Sequence, residues 1–173
     1  DLKYFCQHPL NEIIIYDKYL LKDDVYNSIY FNLLPMLQQF KKMSSQRLKI
    51  KIITLPEMIK PNSDKDLKSR AREIKDRIRK RIKNIDIEIL TLNKKNQHLQ
   101  HDRYIFTNLF LISRGIGFNI FGPHGLMKSE SSEIKFRFIF LRKFNSLFRV
   151  RRKVTDEIIQ SSEVIKSVSY THL

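Results

Sequence analysis

His101, Asp102 and Arg103 follow one another where a strand is predicted to begin, with Asn108 seven residues beyond His101, Gly115 fourteen and Asn119 eighteen. These residue types suit phosphate. An imidazole changes charge near neutrality, and a guanidinium offers a planar fork that meets two phosphate oxygens at once. They also fit a plainer role, with Asp102 and Arg103 as a local ion pair and Asn108 at a hairpin turn, where Asn tolerates left-handed dihedrals. All four glycines fall in the segment RGIGFNIFGPHG, so the backbone there needs left-handed dihedrals or close approach to another group. Its GIG is too short for a dinucleotide fingerprint. The remaining histidines make no ligand set: His98 precedes His101 by three but has no third partner, and His8 and His124 read as loop residues. Neither a metal nor a cofactor is expected. Cys6 is the only cysteine; it excludes a disulfide framework and has no His and Asn order that suits a thiol enzyme.

The elements that must position these residues are legible as periods. Residues 12–16 (EIIIY), 48–55 (LKIKIITL) and 85–92 (IDIEILTL) read as buried strands. Between them come a helical stretch over 25–43, which Pro35 must kink or restart, and a helix whose apolar stripe runs Leu67, Ala71, Ile74, Ile78, Ile82. Strand, helix, strand, helix, strand implies parallel pairing under helices. From residue 103 the rhythm changes: 103–107 and 109–113 are too close for a crossover helix and form a hairpin around Asn108. A strand over 133–141 and a terminal helix over 154–166 follow. The fold class is therefore α/β, a mixed, mostly parallel sheet flanked by helices in one domain.

Charge narrows the partner. The 173 residues carry 33 Lys and Arg against 18 Asp and Glu, a net charge of +15. Residues 64–83 contribute +6 and residues 135–153 contribute +8, leaving the rest close to neutral. Two patches of this size imply an anionic polymer or surface, although much of the helix patch also suits a solvated face. In the second patch Lys135 and Arg137 alternate with Phe136 and Phe138 and project together from one side of a strand. Phe and Tyr fall mostly at apolar-face positions, which makes them core and weakens any case for base stacking. No apolar run approaches the roughly 18 residues that span a bilayer, and a cytoplasmic setting is expected.

The spacing from His101 onward resembles the phospholipase D superfamily signature, H-x-K-x4-D followed by G-S-x-N. The stretch HDRYIFTNLFLISRGIGFNIF and the opening IIIYDKYL most resemble the C-terminal, phospholipase D-like domain of MIT-domain proteins, over roughly residues 11–145. In that family the His acts as nucleophile or leaving-group acid, the Lys binds phosphate oxygens and the Asp orients the His. The resemblance implies those roles for His101, for Arg103 in place of Lys and for Asn108 in place of Asp, with Asn119 retained and Ile116 in place of Ser. Asn108 offers no carboxylate to hold the imidazole. Active members pair two such motifs and this chain has one, so activity would require a homodimer.

The expected function is thus a catalytically degenerate phospholipase D-like domain that binds phosphate groups of nucleic acid or of an anionic membrane surface. It would serve as a sensor or specificity module of a larger bacterial protein whose partner domain lies elsewhere. The alternative is a homodimeric, metal-independent phosphodiesterase or nuclease using His101. His101, Arg103, Asn108 and Asn119 would carry any catalysis. His101, Arg103, Gly115, Gly117, Asn119, Lys135 and Arg137 would bind phosphate, with Arg72 and Arg79 extending the field. The expected organisation is a truncated edge over 1–10, the domain over 11–150, and a basic helix or linker over 151–167. Residues 168–173 (VSYTHL) match the translation of a transposase mosaic-end adapter and are expected to be a sequencing artefact.

Overall fold

A computed structural model describes residues 9–21, 27–55, 67–92, 103–115, 118, 120–122, 126, 133–138, 142–161 and 163–164. The strands are β1 (Glu12–Tyr16), β2 (Leu48–Thr54), β3 (Ile85–Thr91), β4 (Arg103–Thr107), β5 (Phe110–Arg114), β6 (Ile134–Phe138) and the two-residue β7 (Glu163–Val164). They form one seven-stranded sheet in the order β6-β5-β4-β1-β2-β3-β7. The helices are α1 (Leu34–Lys42), α2 (Leu67–Arg81) and α3 (Arg142–Ser161), with a π-helical turn (Asn27–Leu33) leading into α1.

Parallel pairing is confined to β1–β2 and β2–β3. The pairs β1–β4, β4–β5, β5–β6 and β3–β7 are all antiparallel. The sheet is therefore mixed, as expected, but antiparallel in most of its pairs rather than mostly parallel. The tight turn at Asn108 leaves no length for a crossover, so β5 reverses on β4.

Strand alternation divides the side chains between two cores. One face carries Ile13, Ile15, Ile50, Ile52, Ile87, Ile89, Ile105, Phe110 and Ile112, packed with Leu33, Leu37 and Phe40 from the first helical segment and with Ala71, Ile74, Ile78 and Ile82 of and after α2. The other face carries the smaller cluster of Ile14, Tyr16, Ile53, Leu90, Tyr104, Phe106 and Leu111, closed by Ile158 and Ile159 of α3. Arg152 ties α3 to the sheet by donating to Glu12 at 2.9 Å, and within the helix it is braced by Asp156 one turn on, at 3.0 Å.

Pro35 sits in the first turn of α1. A proline there lacks the amide proton that would continue the preceding turn, so the helix restarts and the turn before it widens. The strand expected over 133–141 is found over Ile134–Phe138, residues 139–141 lying outside the described residues. The terminal helix begins at Arg142 rather than residue 154. The second basic patch is consequently split between a strand and a helix.

Candidate functional site

β1 is the central strand, and its carboxyl end is where the chain leaves the sheet carrying Asp17, Lys18 and Tyr19. Asp17 turns the chain. Its Oδ1 accepts the Tyr19 amide at 2.9 Å, an Asx turn, while its own amide donates to the Ile53 carbonyl at 3.2 Å. The Lys18 carbonyl accepts from Thr54 Oγ1 at 3.0 Å and from the Leu55 amide at 3.3 Å, holding the turn against the end of β2.

The cross-strand register then assembles a charged row. Tyr16 pairs with Tyr104, which brings Asp17 beside Arg103, and Arg103 pairs with Arg114 on β5. The Asp17 carboxylate is fully buried and its Oδ2 accepts the Phe118 amide at 2.7 Å. Arg103 donates to the Gly115 carbonyl, and its guanidinium lies 5.2 Å from the centre of the Tyr19 ring, a cation–π contact. The glycine-containing segment is held a second time by Asn32, which donates to the Phe121 carbonyl at 2.8 Å and accepts the Phe121 amide at 2.7 Å. Close approach of that segment to the end of β1 is thus enforced by two side chains.

Burial sets the electrostatics. It pushes the Asp17 carboxyl above the usual carboxylate range against the opposing pull of the Phe118 and Tyr19 amides, Arg103 and Arg114. Burial, with help from Arg103, pushes the Lys18 ammonium down. The Tyr16 phenol is pushed up to about 12 by burial, Arg103 pulling the other way. Tyr16 Oη has no hydrogen-bond partner among the described residues. Among the described residues Arg103 and Arg114 act on the Asp17 carboxylate and Lys18 follows it in the chain, so the cluster carries more basic groups than acidic ones.

The expected site residues separate. Arg103 and Gly115 are in contact. Asn108 lies at the opposite end of β4, in the β4–β5 turn, where it donates to the Pro9 carbonyl at 3.1 Å and accepts the Asn11 amide at 3.1 Å. It staples the chain ahead of β1 to the hairpin and does not approach Arg103. Lys135 and Arg137 project from the sheet face opposite Arg103 and Arg114: Arg137 donates to Ser113 Oγ at 3.0 Å, and Lys135 lies 3.4 Å from Glu133. Arg72 is exposed near the start of α2 and Arg79 near its end. His101, Gly117 and Asn119 lie outside the described residues.

Asp17, Lys18 and Arg114 are the members of the cluster that sequence reasoning missed. The signal for Asp17 was a carboxylate closing an all-apolar strand, with a tyrosine two residues on; it reads as a polar turn until register places Arg103 beside it. Among the described residues no group of three or more His, Cys, Asp or Glu side chains is arranged to hold a metal ion, and no helix is long and apolar enough to cross a membrane. Comparison with protein-family models, characterised proteins and solved structures finds no match to this chain.

Proposed function

We propose that this chain is a catalytically degenerate phospholipase D-like domain that binds phosphate groups of nucleic acid or anionic lipid, acting as a sensor or specificity module of a larger bacterial protein. The observation that carries the reading is the cross-strand pair Arg103 and Arg114 at the carboxyl end of the central strand. Ligands of open sheets with parallel strands gather at that end, and a guanidinium is suited to phosphate oxygens, with Arg103 the more exposed of the pair and Arg114 buried beside it. Asp17 keeps the pair from repelling itself apart, and by holding the Phe118 amide it keeps the glycine-containing segment against the cluster. Lys18 adds a third cation without an added acid.

The test measures binding of inorganic phosphate, a 5′-phosphorylated oligonucleotide and phosphatidylserine-containing vesicles, the last two arms separating the two sources of phosphate. Arg103→Gln and Arg114→Gln should each weaken binding about tenfold or more, as expected for a charge-assisted hydrogen bond of about 1.5–3 kcal/mol. Affinity unchanged in both variants overturns the reading.

A second reading, a homodimeric metal-independent phosphodiesterase using His101, is favoured by Asp17, a carboxylate placed beside Arg103 where position 108 supplies none. It predicts cleavage of a phosphodiester in EDTA that His101→Ala abolishes; an intact substrate with the wild-type protein excludes it.

A further inference from the structure

Both α1 and α2 run antiparallel to the parallel strands and end where β2 and β3 begin. Each helix is followed by a short turn into its strand, so their carboxyl ends meet at the end of the sheet opposite Arg103. Strands of five to seven residues at about 3.3 Å per residue put the two ends about 15–20 Å apart. Here Lys41, Lys42, Arg81 and Lys83 line a groove of about 590 Å³ together with Gln38, Gln39 and Ile82. Arg79 and Lys80 continue the positive surface along the exposed side of α2.

Helix chemistry accounts for only part of this charge. Lys41 caps α1, its Nζ donating to the Ser44 carbonyl at 3.3 Å and the Gln46 carbonyl at 3.0 Å, and cations in a last turn offset a helix end worth about half a charge. Within α2, Arg70 and Arg77 share the one carboxylate Glu73, at 2.9 and 2.7 Å, which offsets part of their charge. At its end the cations have no such partner. Lys42, Arg79, Lys80 and Lys83 make no ion pair among the described residues: of the nearby carboxylates Asp86 stands 3.9 Å from Arg47, Glu12 bonds Arg152, and Asp76 lines the outer surface of α2 with Lys80 without pairing to it.

We infer that this groove and its cationic rim form a second anion surface, separate from the Arg103 cluster, which docks the phosphodiester backbone of a nucleic acid. Surfaces that lie on bilayers join cations to apolar side chains that enter the lipid. Of the exposed large apolar side chains, Met43 is the one beside this groove, Tyr19 and Ile134 sit at the other end beside Asp17 and Arg114, and Phe136 stands midway along β6 opposite Ile112. A groove whose lining is amides and cations beside the single apolar Ile82 instead fits a ribbon of phosphates and sugars. The inference is independent of the phosphate cluster and survives its failure.

Fluorescence anisotropy of labelled oligothymidylate and a labelled duplex, titrated with the full chain between about 50 and 200 mM salt, tests it. The triple variant Arg79→Gln/Lys80→Gln/Lys83→Gln alters exposed positions and keeps helix-forming side chains. It should lower the slope of log K against log salt by about 2–3, the loss of three phosphate contacts. A triple variant with the wild-type slope and affinity overturns the inference. So does a wild-type chain that binds phosphatidylserine vesicles through these three residues and binds neither oligonucleotide.

Discussion

Tyr16 shows what a single atom can cost in this fold. Its ring belongs to the smaller core with Tyr104 and Phe106, but its hydroxyl is buried without a partner among the described residues, and an unmet hydroxyl forfeits about 1–3 kcal/mol. Tyr16→Phe keeps the ring and removes the cost, so chemical denaturation at neutral pH should find the variant as stable as the parent or about 1 kcal/mol more stable. The pH dependence has a definite sign. The phenol ionises near 10.0 when unfolded and only at about 12 when folded, so the unfolded chain loses its proton first. The contribution is fully present below pH 10 and is lost as pH rises from 10 towards 12. The difference between parent and Tyr16→Phe should therefore move in favour of the variant across that interval. A flat difference would show that the phenol is not buried in solution.

At the scale of elements, α3 closes its face of the sheet through Ile158 and partly buried Ile159, and its Arg152 donates to Glu12 on β1. Ile158→Ala should cost about 2–5 kcal/mol, and amide exchange in α3 should accelerate before exchange in β1–β3 does. Equal acceleration everywhere would mean that α3 and the sheet open as one unit. The elements also show how far patterning reaches. EIIIY, LKIKIIT and IDIEILT become strands within a residue of expectation, because an apolar run bounded by polar turns has one good solution. β7 has two residues, too few for any period to register. The early start of α3 was hidden by charge: residues 142–153 continue the basic composition of β6, and composition does not distinguish a strand from a helix where the period changes.

Across the whole molecule, the candidate sites were legible only in part, and pairing is the reason. Arg103 could be singled out from its neighbours in sequence, but Arg114 and Asp17 join it only through the register of β1, β4 and β5. Asn108 fails to join for the same reason, since five residues of strand carry it to the far end. The groove at the other end of the sheet likewise needs two helices to finish side by side, a fact about topology that neither helix carries in its own sequence.

The central position of β1 bears on how the chain acquires its fold. β1 precedes the other described strands, yet one neighbour, β2, follows a helix and the other, β4, comes after β3, so the all-apolar IIIY has no partner on its β4 side until β4 is made. Non-local pairing of this kind is slow because loop closure precedes any gain from contact. The β4–β5 hairpin, by contrast, closes over a few residues. In pulse-labelled refolding its amides should gain protection before those of β1, and a chain halted after β3 should expose one flank of β1 and aggregate.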